Sequence, residues 1–386
     1  MTKASYLKKL VEHSINNFSQ KSKVNENIFH SFSPPSIFIG SYNYPKVFAG
    51  FMITNHENCS LYDMPEKWLS NEISQEEIIK FRISLLRGKR AVSVNEKNAF
   101  TEKLQELALA KNETEVETIA YGIIKNCVFD DEHEPYGASF YVDDFYANNF
   151  YFHKLLEKFY YDTDASANTA LKELYERNVE ISRIIKAFSA GCFGIEKNRK
   201  LVPTRWAITA VDKNLGDMLL KNVKNYGLIE DYKIFEAHGL YNSYYILLVP
   251  SYWFYEWFEA FLHVLSNEEL IFNDAEFYKK KEYSNVGGCF YTARFAILEG
   301  LNKMQKQAAA FVFREAYKGY VPLGVFNVRE LIRKAMNDKP LTFSTFREAL
   351  DYLNKRLKLP LAKYVEKSML LKHYLTKRQF GLSTYL

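Results

Sequence analysis

The hydrophobic positions follow helical spacing in some segments and strand-like spacing in others, which predicts a mixed α and β protein. Residues 6–18 place apolar side chains at helical spacing and predict an amphipathic N-terminal helix. Two short apolar runs, Ile37–Gly40 and Val47–Ile53, lie on either side of a Tyr/Asn/Pro turn. This pattern predicts a pair of short strands.

A capping signal marks the next predicted helix. Ser74 is followed three residues later by Glu77, the spacing of a capping box, and apolar residues then recur at helical spacing. The pattern ends at Arg87–Arg90, where Gly88 suits a helix C-cap. Residues 97–111 and 166–188 also have helical periodicity, and the second stretch has room for two helices.

The second half of the chain alternates helices and strands. Asp212 is a plausible N-cap for a helix over 212–224, and the aromatic stretch Glu256–Val264 predicts a short helix. Strands are predicted at 232–237, 244–249 and 308–313, and helices at 292–306, 328–336, 343–357 and 361–371. We therefore expect an α+β protein in two parts, residues 1–272 and 273–374, with a flexible C-terminal peptide at 375–386.

Composition excludes several classes of protein. The chain has 386 residues, 47% of them hydrophobic and 25% charged, without an apolar run long enough to span a membrane. The cysteines Cys59, Cys127, Cys192 and Cys289 are far apart and contain no C-x-x-C pair. This spacing indicates reduced thiols in a reducing compartment and gives no sign of a zinc site.

Positive charge is concentrated at the C-terminal end. Residues 301–386 contain 17 basic and 6 acidic side chains, whereas the whole chain has a net charge of only +5. A segment this basic favours a polyanion or an acidic protein surface as partner, although lysine-rich helices with solvated faces would give the same count. The 28 tyrosines, interleaved with lysines, suit stacking on unpaired bases.

The last eight residues form a compact apolar pattern. Gln379, Leu382 and Tyr385 are three residues apart, so a 3₁₀ turn would stack their side chains on one face, with Leu386 beside them. This arrangement resembles the PIP box, the peptide by which replication and repair proteins dock on the sliding clamp PCNA. The alternative is a C-terminal helix end that buries leucine and tyrosine in the core.

Several stretches together resemble the Nre family of archaeal DNA repair proteins, which carry a clamp-binding peptide at the C-terminus. The most specific is Val202–Trp206 with Thr209–Asp212, and the others are Ser33–Gly40, Tyr44–Val47, Arg82–Arg90, Asn242–Pro250, Gly287–Glu299 and Tyr320–Arg333. The resemblance implies DNA repair on the chromosome, in the cytoplasm, coordinated by PCNA. Many members begin with a cysteine-rich segment, but residues 1–30 contain no cysteine here. We therefore expect no N-terminal zinc site.

Three groups of basic residues are candidates for DNA contact. Arg205 beside Trp206 offers a planar fork for phosphate and a ring for stacking, or else an arginine that is paired with an acid in the core. The remaining candidates are Lys46 with Arg87, Lys89 and Arg90, and Arg294 in the helix that follows Gly287-Gly288. Charges at a helix C-terminus also interact favourably with the helix dipole, which is the structural alternative for Arg87–Arg90.

An enzymatic function is the second hypothesis. A metal-dependent nuclease requires clustered carboxylates to hold Mg²⁺ or Mn²⁺, and the candidates are Asp212, Glu256 and Glu259. Glu256 and Glu259 would share one face of the predicted helix. No nuclease signature spaces these acids, so we expect first a DNA-binding repair factor. A non-catalytic adaptor between the clamp and other repair proteins is the third possibility.

Overall fold

The computed structural model describes residues 28–124, 137, 139–148, 151–264, 267–278 and 280–376. The predicted N-terminal helix lies outside these residues, as does the predicted C-terminal peptide from residue 377 onward, whereas Leu375 and Thr376 are helical. The described chain divides into two compact units. The first comprises the residues up to Leu215 together with Pro322–Gly324, and the second comprises Gly216–Val321 and the residues from Val325 onward. The structure confirms the expected α+β class.

The first unit is built on a six-stranded mixed sheet. Its strands are β1 (Ile28–Ser33), β2 (Ile37–Ile39), β3 (Lys46–Ile53), β4 (Leu86–Ser93), β5 (Thr114–Ile124) and β6 (Ser139–Asn148), in the order β1-β5-β6-β4-β3-β2. Neighbouring strands are antiparallel, except that β4 and β6 are parallel.

Six described helices lie entirely within the first unit, and the one at Ala99–Leu109 covers part of one face of this sheet. They are α1 (Pro65–Ser70), α2 (Gln75–Ser84), α3 (Ala99–Leu109), α4 (Lys154–Tyr161), α5 (Ala167–Glu176) and α6 (Ile181–Ser189), with short 3₁₀ turns at Cys59–Asp63 and Glu196–Asn198. On the covered face, Phe145 of β6 packs against Phe51 of β3 and Phe100 of α3, with ring centroids 4.2 and 5.7 Å apart. We call the other face of the sheet the outer face.

A long helix, α7 (Thr204–Val223), contains the division between the units, because Leu215 and Gly216 are consecutive residues within it. It presents a buried stripe at every fourth position: Ala207, Val211, Leu215, Leu219 and Val223. The prediction that Asp212 begins a helix is wrong, since α7 starts eight residues earlier, directly after Pro203. Asp212 is buried inside the helix.

The second unit contains another six-stranded mixed sheet. Its strands are β7 (Tyr232–Gly239), β8 (Asn242–Val249), β9 (Tyr255–Leu262), β10 (Glu269–Glu276), β11 (Ala309–Tyr317) and β12 (Leu341–Phe343), in the order β10-β9-β11-β8-β7-β12. All neighbours are antiparallel except β9 and β11. The domain boundary predicted at residue 272 falls within β10, whereas the division into compact units falls at Leu215–Gly216. The predicted boundary between domains stays a prediction.

Helices pack on both faces of the second sheet. They are α8 (Gly288–Met304), α9 (Phe326–Asn337), α10 (Phe346–Arg356), α11 (Leu361–Lys367) and α12, which is helical over 371–376. On one face the rings of Phe258 and Phe313 stack with their centroids 5.0 Å apart. Both rings also contact the ring of Tyr364 of α11. On the opposite face, Tyr255 contacts Phe290 of α8 at 4.8 Å.

The helix predicted after Ser74 ends earlier than expected, and the helix predicted at 256–264 is a strand. Residues 86–93 continue as a strand after the helix ends at Ser84, and Gly88 is needed for packing: a Cβ there would lie 2.8 Å from the ring of Phe51. Residues 255–262 form a strand in which every residue is buried, so the apolar run lacks the alternation that identifies a half-exposed strand.

Candidate nucleic-acid interface

A row of rings and one lysine crosses the outer face of the first sheet. Lys89 of β4 pairs with Gly50 of β3 on one side and with Tyr141 of β6 on the other, and Tyr141 pairs with Tyr121 of β5. Residues paired in this way share one face of a sheet, as do residues two apart along a strand. Phe48, two residues before Gly50, therefore lies on the same face. We call Phe48, Lys89, Tyr141 and Tyr121 the aromatic row.

The aromatic row is closely packed and half open to solvent. The Lys89 ammonium lies 4.9 Å from the centroid of the Phe48 ring and 5.2 Å from that of Tyr141. The ring centroid of Tyr141 is 5.9 Å from that of Phe48. It is also 5.9 Å from the ring centroid of Tyr121, and these two rings are stacked. Tyr121 is 50% exposed. Cation–π contact holds the lysine in place over the two rings while its charge faces the outside of the sheet.

A second aromatic group adjoins the start of α7. Trp206 contacts Tyr44 of the β2–β3 turn with centroids 5.0 Å apart, and the two side chains are 46% and 40% exposed. The backbone N–H of Ile39 donates to the hydroxyl of Thr204 over 2.9 Å, which ties the first turn of α7 to β2. Arg205 is exposed. We call Tyr44, Arg205 and Trp206 the Trp206 cluster.

Lys46 lies between Tyr44 and Phe48 in the sequence, and it is on the outer face of the sheet. It is the first residue of β3, exposed, and two residues before Phe48. Lys46, Lys89, Arg205 and Trp206 therefore all belong to the first unit, and each is at least partly accessible. The outer face combines positive charge with exposed rings, the two features that binding of unpaired nucleic acid requires.

The predicted charge cluster at Arg87–Arg90 is divided by strand geometry. Arg87 is on the outer face but buried, with its guanidinium 5.8 Å from the ring of Phe38. Arg90 points to the opposite face, where it lies 5.3 Å from Phe100 and donates to the carbonyl oxygen of Asp143 over 2.7 Å. Of these three basic residues, Lys89 is the one that is both on the outer face and partly exposed, and it lies next to the rings of Phe48 and Tyr141.

Arg294 is not at the surface. It is 3% exposed, and its guanidinium pairs with Asp217 at 3.0 Å and with Glu276 at 2.9 Å. Both carboxylates belong to the second unit, as Arg294 does. The guanidinium of Arg294 is therefore buried and paired with two acids of its own unit.

Two of the three candidate catalytic acids, Glu256 and Glu259, do not form a pair. Because β9 is a strand, Glu256 and Glu259 point to opposite faces of the sheet. Glu259 pairs with Arg314. Asp212 belongs to the other compact unit. Within the described ranges, no three His, Cys, Asp or Glu side chains gather to hold a metal ion.

Glu256 has a structural function of its own. Its carboxylate accepts hydrogen bonds from the hydroxyl of Ser368 and from the backbone N–H groups of Met369, Leu370 and Leu371, at 2.6–3.1 Å. It thereby satisfies the N–H groups that precede and begin α12, which a helix start otherwise leaves without partners. This arrangement explains a fully buried carboxylate without catalysis.

Two of the described cysteines, Cys59 and Cys192, are buried thiols. Burial raises the pKa of the Cys59 thiol to about 12, and the nearby carboxylate of Glu113 adds to that effect. Burial likewise raises the pKa of Cys192. Thiols held in the protonated form are poor nucleophiles and poor metal ligands.

In the described parts of the chain, no helix has the length and apolar content that crossing a membrane requires.

Sequence reasoning missed the rings of the aromatic row. Tyr121, Tyr141 and Phe48 do not stand out in a chain with 28 tyrosines and 30 phenylalanines. A signal was present, because Tyr141 alternates with the apolar residues Phe140 and Val142, the pattern of a strand with one exposed aromatic face. The residues predicted to bind PCNA, Gln379, Leu382, Tyr385 and Leu386, lie outside the described residues.

Comparison with known proteins identifies the family. Two family models match, the archaeal Nre N-terminal model over residues 8–265 and the archaeal Nre C-terminal model over residues 275–385. The chain is 37% identical to DNA repair protein NreB of Archaeoglobus fulgidus over 361 residues, which cover 88% of each chain.

Two further relatives are named DNA repair protein NreA. The chain is 35% identical to that of Archaeoglobus fulgidus, over 88% of each chain. It is 30% identical to that of Haloferax volcanii, over 86% of this chain and 84% of the relative. No solved structure matches. By both family models and by these relatives, the chain belongs to the archaeal Nre family.

Proposed function

We propose that this protein acts in DNA repair by binding DNA through the outer face of its first unit, and that PCNA recruits it through Gln379–Leu386. The names of its relatives support the repair role. The observation that carries DNA binding is the combination of Lys46, Lys89 and Arg205 with exposed rings on one unit.

The chemistry of this surface suits a nucleic acid better than a protein. Exposed lysine and arginine bind phosphate, and each bound phosphate releases counterions, so affinity falls steeply with salt. The Trp206 and Tyr44 rings supply apolar area beside those charges.

The test of DNA binding is a salt titration. In a fluorescence anisotropy assay with a labelled primed oligonucleotide, the double variant Lys46→Ala/Arg205→Ala should bind more weakly than the native protein. The slope of log affinity against log salt should fall by about 0.7–0.9 for each phosphate that the variant no longer binds. The matched control is Lys158→Ala/Lys172→Ala, which removes two exposed lysines from helices of the same unit. Equal affinity of both variants would contradict the proposal.

Recruitment by the clamp is tested separately. A chain that ends at Thr376 should keep its fold and its DNA affinity but lose binding to purified PCNA. A peptide of this size commonly binds at about micromolar strength, near −8 kcal/mol. Isothermal titration of both forms against the clamp measures the difference. If the shortened protein bound PCNA as well as the full chain, the C-terminal peptide would not be the docking element.

A nuclease is not favoured by any specific arrangement of the described acids. Glu256 caps α12, Glu259 pairs with Arg314, and the two face opposite sides of their sheet. Nuclease activity is tested by measuring Mg²⁺- or Mn²⁺-dependent cleavage of flapped, gapped or crosslinked DNA. Turnover that survives replacement of all three candidate acids would place catalysis elsewhere in the chain.

A further inference from the structure

We propose that the aromatic row is a binding site for unpaired nucleotides, in which bases stack on Tyr121 and Tyr141 while Lys89 and Lys46 contact the phosphates. This inference rests on the proposed function and names the form of DNA that the outer face selects. It also assigns binding to two tyrosines that sequence analysis did not select.

The geometry of the row follows from the sheet. Tyr121, Tyr141, Lys89 and Phe48 come from the adjacent strands β5, β6, β4 and β3. Neighbouring strands lie about 4.8 Å apart, so the row spans three spacings, about 14 Å. The ring centroids of Tyr121 and Tyr141, on adjacent strands, are 5.9 Å apart, and those of Tyr141 and Phe48 are also 5.9 Å apart although β4 lies between their strands, so these two rings approach each other over β4. A surface of this length accommodates only a few nucleotides, near the lower end of the roughly 4–16 that one OB fold binds.

Stacking is the interaction that these rings can offer. Tyr121 is half exposed although it is held against Tyr141, so ring surface stays in contact with water. Every base has a flat apolar face, and a base–ring stack removes that surface from water regardless of sequence. The inference therefore predicts tolerance of base sequence as well as preference for unpaired strands.

A duplex cannot use the row in this way. Within a double helix the faces of each base are covered by the neighbouring bases. Protein side chains can therefore reach only the base edges and the phosphates. Lysines would still attract a duplex, but the rings would contribute nothing. The rings therefore supply the difference in affinity between single-stranded and double-stranded DNA.

Carboxylates limit the direction of the strand. Glu115 and Glu117 lie on the outer face of β5, six and four residues before Tyr121. Like charge repels phosphate, so a nucleic acid strand should turn away from that end of β5. Lys46 lies toward the same end of the sheet but on β3, three strands away from β5, so the nucleic acid strand should cross from β5 toward β3 as it leaves the row.

The Trp206 cluster extends the same chemistry within the first unit. Tyr44 precedes Lys46 by two residues, and Trp206 contacts Tyr44 at 5.0 Å. Arg205 adds a planar guanidinium beside the indole, which suits a phosphate next to a stacked base. A strand that leaves the aromatic row at Lys46 thus meets a second stacking surface with its own cation.

The test compares single-stranded and duplex DNA of one sequence by fluorescence anisotropy. The native protein should bind the single strand at least about tenfold more tightly. Tyr121→Ala and Tyr141→Ala should each weaken single-strand binding by about 5- to 150-fold, the range for removal of one base stack. Neither change should alter duplex binding, and Tyr141→Phe, which keeps the ring, should bind the single strand like the native protein.

Controls separate stacking from loss of structure. Tyr161→Ala removes a tyrosine that is 69% exposed on α4 of the same unit and should leave both affinities unchanged. Tyr121 is at the surface, so Tyr121→Ala keeps the test valid even if Tyr141→Ala unfolds. Crosslinking of 5-bromouracil-substituted single strands, mapped by mass spectrometry, should identify Tyr121 or Tyr141.

The outcomes are distinguishable. Unchanged single-strand binding by the tyrosine variants, with weaker binding by Lys46→Ala/Arg205→Ala, would overturn this inference and leave the proposed function in place. Equal binding of duplex and single strand by the native protein would also overturn it. No binding of either DNA by the native protein would overturn the proposed function itself.

Discussion

At the residue scale, the charged side chains of this protein fall into two groups with different environments. Lys46 and Arg205 are exposed beside aromatic rings in the first unit. Arg294, Arg314 and Glu256 are buried in the second unit, where each has a defined partner. Sequence shows charge without burial, so it does not distinguish the buried Arg294 from the exposed Lys46.

Arg294 provides the first prediction. Arg294→Ala should lower the free energy of unfolding by about 3–5 kcal/mol, because it leaves Glu276 buried without its cation. Urea denaturation measures the change. The control is Lys363→Ala, which breaks a surface pair with Glu269 and should cost about 0–1 kcal/mol. A variant that stays fully stable but binds DNA more weakly would show that Arg294 contacts phosphate.

Asp63 gives a prediction about pH. Burial would raise the pKa of its carboxyl, but Lys186, Arg82 and the hydroxyl of Ser36 outweigh burial and lower that pKa below its usual value. Lys186 lies 3.0 Å away. A depressed pKa contributes stability above the ordinary aspartate value of about 3.9, and the contribution is lost as pH falls through the lower folded value.

The corresponding variant is Asp63→Asn. It should destabilise the protein at pH 7, and the difference from the native protein should shrink as pH falls below about 4. Urea denaturation at pH 7 and at pH 3 measures both differences. Asp164→Asn, at an exposed position in the same unit, is the control. A gap of the same size at both pH values would mean that the Asp63 charge does not contribute to stability.

At the scale of secondary structure, local signals were reliable where they had a short-range cause. The capping box predicted at Ser74 and Glu77 is present, with the hydroxyl of Ser74 accepting from the N–H of Glu77 at 3.2 Å. The helices at 97–111 and 166–188 were also confirmed, the second as α5 and α6. These elements depend on residues within a few positions of one another.

Predictions failed where distant residues determine the structure. Gly88 resembles a helix C-cap, yet it is required because Phe51 and Phe140 occupy the space of a side chain. Residues 255–262 are buried on both faces by layers that come from elsewhere in the chain. The aromatic row was invisible for the same reason: its members are spread over 48–141 and meet only through strand pairing.

Gly50 tests the sheet that supports the aromatic row. A Cβ at this position would overlap the carbonyl oxygen of Gly88 on the neighbouring strand, so Gly50→Ala must separate β3 from β4. We expect a decrease of at least about 1–3 kcal/mol in the free energy of unfolding, together with loss of single-strand DNA binding. Circular dichroism and urea denaturation measure the first effect.

The control for Gly50 is Gly227→Ala, because no atom lies within 4 Å of a Cβ built there. This variant should unfold like the native protein and bind DNA normally. If Gly50→Ala were equally harmless, the pairing of β3 with β4 that positions Lys89 beside Phe48 would be incorrect.

At the scale of the whole molecule, the proposed function gives the chain two attachment points, a DNA-binding face in the first unit and a clamp-binding peptide at the end of the chain. A ligand that engages both on one DNA molecule converts the second binding event into an intramolecular step. The gain depends on the effective concentration of one site near the other, and it is commonly about 10²- to 10⁴-fold in affinity.

With two attachment points, the effects of two changes should combine in a defined way. On PCNA loaded onto closed circular primed DNA, the full chain should bind more tightly than on PCNA or DNA alone. Ending the chain at Thr376 should reduce its affinity to that for DNA alone, and Lys46→Ala/Arg205→Ala should reduce it to that for PCNA alone. The combined variant should not bind. Surface plasmon resonance on immobilised clamp–DNA measures all four proteins, and a truncated chain that retained the full affinity would show that the peptide does not cooperate with the DNA-binding face.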